Sequence, residues 1–224
     1  MTARIFSGLF VCEGTSDLPL AEIVETLFID RDVEVRLSKP DYALLGKVPK
    51  DVASRVGAGL RLLGGPVDLV VVHRDADNAG PDERRNEIES AVRSVSDSVR
   101  AMPVIPVRMT EAWLLLDEGA IRRVAGNPRG RTNLNLPSIR KIESVPDPKQ
   151  LLQQCIITAA DCTGRRREQV AKRFSEHRRQ LLRSIDCSGP ITQLPSWQQL
   201  VKDIESAAAE LGSRDGRSSS DALW

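Results

Sequence analysis

The chain has few aromatic residues and no long apolar run. Aromatic side chains make up 4% of its 224 residues, so we expect a core built mostly of Leu, Val, Ile and Ala. No apolar run reaches the ~18 residues that a bilayer span needs, and no signal-peptide pattern opens the sequence. The four cysteines form no Cys-x-x-Cys pair. We therefore expect a cytoplasmic protein with reduced thiols and no membrane partner.

Charge is distributed unevenly along the chain, although the formal net charge is only +1. Residues 1–120 carry 14 Lys or Arg against 20 Asp or Glu, whereas residues 121–186 carry 15 against 6. An acidic N-terminal part suits metal binding, and the basic segment that follows it suits binding of a polyanion. The alternative is that the basic residues solvate the outer faces of helices.

Strand and helix patterns alternate from residue 4 to about residue 108. This alternation predicts βαβ units, hence an α/β fold with a mainly parallel sheet of about four strands flanked by helices. Pro103 and Pro106 favour an edge position for the last strand. The predicted strands cover residues 4–12, 33–37, 67–73 and 102–107. The predicted helices between them cover residues 18–29, 49–63 and 81–99.

The pattern becomes helical after Glu111. Apolar spacing predicts helices over residues 111–124, 148–160, 166–185 and 197–211, with a loop over residues 126–137. We expect residues 1–120 to form the α/β core and residues 121–211 to form a basic helical region packed on it. The polar composition of residues 212–224 predicts a disordered tail.

Five acidic side chains follow three of the predicted strands. Glu13 and Asp17 follow the first strand, Asp75 and Asp77 the third, and Glu111 the fourth. The carboxyl ends of parallel strands share one edge of a sheet, where ligands gather. Mg²⁺ and Mn²⁺ prefer carboxylate and water oxygens, and two such ions about 4 Å apart assist phosphodiester cleavage. The pattern predicts a metal site at this edge.

Two of these acids also have a structural explanation. Asp17 is a good helix N-cap, and Glu111 would suit the positive end of a helix dipole. Gly14 and Gly80 are expected to allow tight turns and a close approach of backbone to phosphate. The joint pattern is more specific than any one acid, because all five fall at one predicted sheet edge.

The motifs around these acids resemble the Toprim domain, which topoisomerases, primases and the Overcoming Lysogenization Defect nucleases share. The resemblance rests on Glu13-Gly14 after the first strand and Asp75-Ala76-Asp77-Asn78-Ala79-Gly80 after a later one. The spacing Glu13-x-x-x-Asp17 is closer to the nucleases than to primases. The runs 110–117 and 147–149 resemble small bacterial Toprim-like proteins that are often partnered with ATPases and suspected of acting in antiviral defence.

The resemblance implies a nuclease that hydrolyses phosphodiester bonds with two Mg²⁺ or Mn²⁺ ions. The metal ligands that it implies are Glu13, Asp17, Asp75, Asp77 and Glu111. The catalytic residues that it implies are Glu13, Asp75, Asp77 and Lys149. Tyr42 is the only tyrosine and is expected in a loop, which disfavours strand passage by a tyrosine nucleophile. No primase-specific or zinc-binding domain is visible, which disfavours primer synthesis.

Nucleic acid is the expected substrate, with DNA favoured over RNA. The basic residues expected to contact it are Arg165, Arg166, Arg167, Lys172 and Arg173, which alternatively form a solvated helix exterior. The sequence has no Gly-rich Lys loop, so any ATP dependence would come from a partner protein. Two other functions stay open: a non-catalytic or latent regulatory subunit of an ATPase complex, and phosphoryl transfer on a small nucleotide.

Several other side chains near these motifs are expected to have minor or structural roles. His73 is expected to be a structural histidine and Trp113 a core residue, whereas His177 is expected to be exposed on a basic helix. Arg74 and Arg108 join Lys149 as candidates to stabilise transition-state charge.

Overall fold

The chain adopts an α/β fold in a computed structural model that describes residues 4–218, with side chains described through Ser213. The strands are β1 (Ile5–Val11), β2 (Glu34–Ser38), β3 (Leu69–His73) and β4 (Arg100–Val104). The α-helices in the described range are α1 (Pro19–Ile29), α2 (Val52–Leu63), α3 (Pro81–Val95), α4 (Glu111–Leu114), α5 (Glu118–Val124), α6 (Ile139–Ile142), α7 (Pro148–Ala160), α8 (Gly164–Lys172), α9 (Phe174–Arg183) and α10 (Pro195–Ser218).

The four strands form one all-parallel sheet in the order β2-β1-β3-β4. The predicted α/β class, the parallel sheet and its strand number are confirmed. β4 lies at an edge, as its prolines indicated. The chain leaves β1 toward β2 and then returns to the other side of β1 to form β3. The switch point of the sheet, where open α/β folds bind ligands, is therefore between β1 and β3.

The burial of β3 explains why its sequence is continuously apolar. All five residues from Leu69 to His73 are buried, as is typical of an interior strand of a parallel sheet covered on both faces. β2 instead alternates buried and partly exposed residues, because it lies at the other edge. Helix α2 packs closely on β1: a Cβ on Gly59 would lie 2.8 Å from a methyl group of buried Leu9.

Two of the predicted helices are each divided into two. The helix predicted over residues 111–124 separates into α4 and α5, because the Asp117 carboxylate accepts a hydrogen bond from the Ala120 N–H over 2.8 Å and caps a new helix. The helix predicted over residues 166–185 is interrupted at Arg173, between α8 and α9. A short helix, α6, follows the predicted loop and was not expected.

The last helix is longer than predicted. α10 continues through Ser218, so the expectation of a disordered tail from residue 212 is wrong for residues 212–218. Leu211 is buried and continues the apolar stripe of the helix, and no proline follows it. Adding residues to an existing helix costs far less than nucleating one, so the polar residues extend it. Residues 219–224 of the predicted tail lie outside the described residues.

The chain divides into two compact units, and the division differs from the expected boundary at residue 120. The first unit contains Met1–Arg74, Asp82–Ile105 and Gln199–Trp224, and the second contains Asp75–Pro81 and Pro106–Gln198. The first unit holds the sheet. The second has its own core, which includes Trp113, Ile121, Leu152 and Trp197. No helix in the described part of the chain is long and apolar enough to span a membrane.

Candidate functional site

Glu13 faces Arg74 in the first unit, beyond the ends of two neighbouring strands. The register pairs Val11 of β1 with Val72 of β3, so residues 13 and 74 come opposite each other two positions later. Arg74 Nε lies 2.7 Å from Glu13 Oε1, as an ion pair without the alignment of a hydrogen bond. Arg74 also lies 3.3 Å from Glu87 of α3. The half-exposed Glu13 carboxylate therefore already has a cationic partner at the switch point.

The segment after β1 is fixed by Arg55, which projects from α2. Its guanidinium donates to the Glu13 carbonyl over 2.9 Å and also to the Cys12 carbonyl. Gly14 adopts an extended conformation with φ −136°, and a Cβ there would meet only ordinary contacts. Gly14 is thus not required for a tight turn, contrary to expectation.

Asp17 is buried in a short 3₁₀ turn (Thr15–Asp17) and is not the N-cap of α1. It is 7% exposed, and its backbone N–H donates to the Gly14 carbonyl over 3.2 Å. The N-cap position of α1 is Leu18, which makes no side-chain capping bond. The capping explanation for Asp17 is therefore wrong.

Asp75 is oriented by Thr110 in the second unit. Its Oδ1 accepts two hydrogen bonds from that residue, one from the backbone N–H over 2.9 Å and one from the hydroxyl over 3.0 Å. Thr110 is fully buried and Asp75 is half-buried. One face of the Asp75 carboxylate is thereby fixed by neutral donors.

Asp77 lies in a strained turn that backbone hydrogen bonds hold in place. Its φ is 47°, and its N–H donates to the Arg108 carbonyl over 3.0 Å. Arg108 has φ 63°, and its Nη1 donates to the side chain of Asn78 over 3.1 Å. Gly80 closes the turn with φ 91° and donates to the Ala76 carbonyl over 3.1 Å, so a glycine is required there as expected. The turn leaves Asp77 exposed.

Glu111 forms a buried ion pair with Arg178 of α9. Arg178 Nε donates to Glu111 Oε1 over 2.7 Å, and the two residues are 6% and 3% exposed. Glu111 Oε2 is buried and has no hydrogen-bond partner among the described residues. A buried charge pair of this kind fixes the position of α9 against α4 within the second unit.

Lys149 is exposed in the first turn of α7, and its motif has a structural explanation. The Asp147 carboxylate accepts from the Gln150 N–H over 2.8 Å, and Pro148 occupies the first helical position. The run 147–149 thus begins a helix. Trp113 is a core residue, as expected: it packs edge-on against Trp197 with ring centroids 5.3 Å apart. His73 is buried within β3.

Tyr42 lies in a 3₁₀ turn (Tyr42–Leu45) rather than in an irregular loop. The Arg55 guanidinium lies 5.5 Å from the centre of its ring. Burial raises the pKa of Tyr42 to about 12, although the positive charge of Arg55 opposes this shift. A phenol that holds its proton so strongly is a poor nucleophile.

The five basic residues expected to contact nucleic acid are all exposed. Arg173 pairs with Glu176 over 2.7 Å, whereas the other four pair with no acid in the described part of the chain. Those four are Arg165, Arg166, Arg167 and Lys172. The three arginines occupy the first turn of α8, where positive charge opposes the helix dipole.

The five predicted metal ligands belong to different units of the chain. Glu13 and Asp17 are in the first unit, and Asp75, Asp77 and Glu111 are in the second. Among residues 4–213, whose side chains are described, no three His, Cys, Asp or Glu residues form a group that would hold a metal ion. The metal site therefore stays a prediction.

The sequence reasoning missed two side chains of α9. His177 was expected to be exposed but is 6% exposed, and the pairing of Arg178 with Glu111 was not anticipated. A signal for both was present. His177 and Arg178 stand four residues before Leu181 and Leu182, so all four lie on one helical face. Because these two residues are polar, the sequence alone did not indicate that this face of α9 is buried.

No protein-family model, curated protein or solved structure matches the chain.

Proposed function

We propose that this chain is a metal-dependent nuclease of the Toprim type that hydrolyses phosphodiester bonds of nucleic acid. The observation that carries the proposal is the strained turn at residues 75–80. It presents Asp77 to solvent in a left-handed conformation and keeps Asp75 oriented through Thr110. Backbone strain persists where the surrounding structure maintains it, and it is concentrated at functional sites.

Chemically, the proposed ligands suit Mg²⁺ or Mn²⁺, because they are all carboxylates. We propose Glu13, Asp17, Asp75, Asp77 and Glu111 as ligands. Glu13 and Glu111 also pair with arginines, so a metal ion bound by them would compete with those ion pairs. Metal ions bound there would activate water and stabilise the leaving oxygen.

The chain's own residues would orient and neutralise the reacting groups. Glu13 would accept a proton from the attacking water, and Arg74 holds that carboxylate in place. Arg108 and Lys149 would stabilise charge that develops on the phosphate oxygens. Arg165, Arg166, Arg167, Lys172 and Arg173 would contact the phosphates of the substrate, DNA in preference to RNA. An ATPase partner and a role in antiviral defence follow from the resemblance alone.

The decisive experiment is cleavage of DNA and RNA by the purified chain with Mn²⁺. We expect Asp77→Asn and Glu13→Gln to reduce cleavage at least about 100-fold, since removing one preorganised charged group has effects of that size. Asp32→Asn is the matched control, because Asp32 is also an exposed aspartate in a left-handed conformation, with φ 57°. Full cleavage by Asp77→Asn would refute the assignment.

The basic residues have a separate test in the salt dependence of DNA binding. Replacing Arg165 and Arg167 with glutamine removes two phosphate contacts and should make the negative slope of log K against log salt shallower by about 2. Replacing Arg93 and Arg183, two exposed arginines outside this set, should leave the slope unchanged. A slope that is flat in the unmodified chain would contradict nucleic-acid binding by this surface.

A second function is favoured by the ion pairs of Glu13 and Glu111. Both carboxylates already pair with arginine, so their charges do not require a metal ion, as expected for a regulatory subunit without catalysis. Measuring the activity of acid variants in a complex with the ATPase partner distinguishes the two functions. An acid variant that retains full activity of that complex would favour the regulatory subunit, whereas loss of cleavage in Asp77→Asn alone would favour the nuclease.

A further inference from the structure

A basic cavity in the second unit is distinct from the acidic residues. It has a volume of about 540 Å³ and is open to solvent. Gly126 after α5, Arg166, Gln169, Lys172, Arg173 and His177 line it, with apolar contacts from Val124 and Val170. No carboxylate is among its lining residues in the described chain. We call it the α8–α9 cavity.

The position of Arg166 in the α8–α9 cavity is not explained by helix stability. Arg166 lies in the first turn of α8, where the helix dipole disfavours a cation. Neither Arg166 nor Lys172 has an acidic partner among the described residues. α8 buries none of its residues, so packing does not account for this arrangement. A cleft lined by cations without counter-charges attracts anions.

A buried histidine gives a second, independent indication. His177 is 94% buried, and its Nδ1 has no hydrogen-bond partner in the described part of the chain. A buried polar atom without a partner destabilises the fold, unless a ligand or an ordered water supplies the missing bond. Burial holds the pKa of His177 below its usual range, and the positive charge of Arg173 adds to this effect. The imidazole is therefore neutral at pH 7 and keeps one N–H donor and one acceptor nitrogen.

We propose that the α8–α9 cavity binds a phosphate group, with Arg166, Lys172 and the His177 imidazole as its principal contacts. Arginine and lysine both bind phosphate oxygens through charge-assisted hydrogen bonds, and Gln169 adds a neutral donor. The volume lies within the range of ligand pockets and exceeds what one phosphate fills, so the phosphate is part of a nucleotide or a strand. This last identification rests on the proposed function.

Inorganic phosphate is the first probe, and the full-length chain without any metal is the sample. The chain has only two histidines, so side-chain NMR resolves His177 from buried His73. We expect His177 resonances to shift with a dissociation constant on the order of 1 mM, while His73 stays unchanged. Equal concentrations of chloride serve as the ionic-strength control. No shift of His177 in phosphate, or an equal shift in chloride, would overturn the proposal.

Matched variants distinguish phosphate binding in this cavity from non-specific attraction to positive charge. Arg166→Gln and Lys172→Gln should each weaken phosphate binding roughly tenfold, the effect of losing one charged hydrogen bond. Arg183→Gln, at the exposed end of α9 and outside the cavity, should leave the affinity unchanged. An equal loss in Arg183→Gln would overturn the proposal.

Competition distinguishes the source of the phosphate. One oligonucleotide carries a 5′-phosphate and its twin carries a 5′-hydroxyl. Competition by the phosphorylated strand alone assigns the cavity to strand ends or nucleotides, and equal competition by both assigns it to backbone phosphates. Competition by neither contradicts a nucleic-acid ligand. Asp77→Asn should bind phosphate normally, so a failure of the nuclease proposal is distinguishable from a failure here.

Discussion

The backbone N–H of Asp77 donates to the carbonyl of Arg108 over 3.0 Å, and both residues have left-handed backbone conformations. Neither is a glycine, so each carries a conformational cost of about 1–2 kcal/mol. The two strained residues restrain each other, because the hydrogen bond between them joins the Asp77 N–H to the Arg108 carbonyl. One of them is a proposed metal ligand and the other a proposed phosphate contact.

Replacing Arg108 with glycine tests this strain. We expect Arg108→Gly to raise the free energy of unfolding by up to about 1 kcal/mol, because the relief of strain exceeds the entropic cost of glycine, about 0.5–1 kcal/mol. Urea denaturation measures the change. Arg93→Gly, on the exposed face of α3, is the control and should destabilise the fold by about 1 kcal/mol. Equal losses in both variants would show that position 108 is not strained.

Removing the carboxylate of Glu111 should damage the fold as well as any activity. Glu111→Ala removes the carboxylate of a buried ion pair with Arg178, which costs about 3–5 kcal/mol. The double variant Glu111→Met with Arg178→Met should recover part of that loss, because both charges of the pair are removed together. Glu176→Ala breaks the exposed pair with Arg173 and should cost less than about 1 kcal/mol. A loss below 1 kcal/mol in Glu111→Ala would contradict a structural role.

Tyr42→Phe should leave both cleavage and folding intact. The Tyr42 hydroxyl is buried with no hydrogen-bond partner among the described residues, and burial raises its pKa to about 12. Its removal therefore loses no hydrogen bond, and we expect the free energy of unfolding to stay the same or to rise by about 1 kcal/mol. Thermal denaturation and the Mn²⁺ cleavage assay check the two expectations. Loss of cleavage would indicate a tyrosine nucleophile after all.

The depressed pKa of His177 predicts a pH dependence of stability. The unfolded chain protonates this histidine near pH 6.5, whereas the folded chain keeps it neutral to lower pH. The unfolded state then binds more protons, so stability is full above pH 6.5 and falls as the pH drops toward the folded pKa. His177→Gln should remove part of this slope. Denaturant midpoints of both chains between pH 5 and about 7.5 measure it; identical slopes would contradict the assignment.

The sequence was sufficient for the pattern of the sheet. Continuous apolar residues in β3 and alternation in β2 predicted these two strands, and prolines predicted the edge position of β4. These sequence patterns depend on whether a strand is buried on two faces or one, or lies at an edge. They can therefore be recognised without knowing which strands lie beside it. Helix α7 was likewise predicted with both of its ends, from the spacing of its apolar residues.

Charge partners could not be predicted, because they depend on distant segments. The sequence showed that Glu13 and Glu111 follow strands, but only the register of β1 against β3 brings Arg74 to Glu13. Similarly, only the packing of α9 buries Arg178 against Glu111, 67 residues away. A carboxylate's neighbours decide whether it holds a metal, a proton or an arginine. Residue type and spacing therefore determined the candidate acids, whereas tertiary structure decided which of them are already neutralised and placed His177 in a basic cavity.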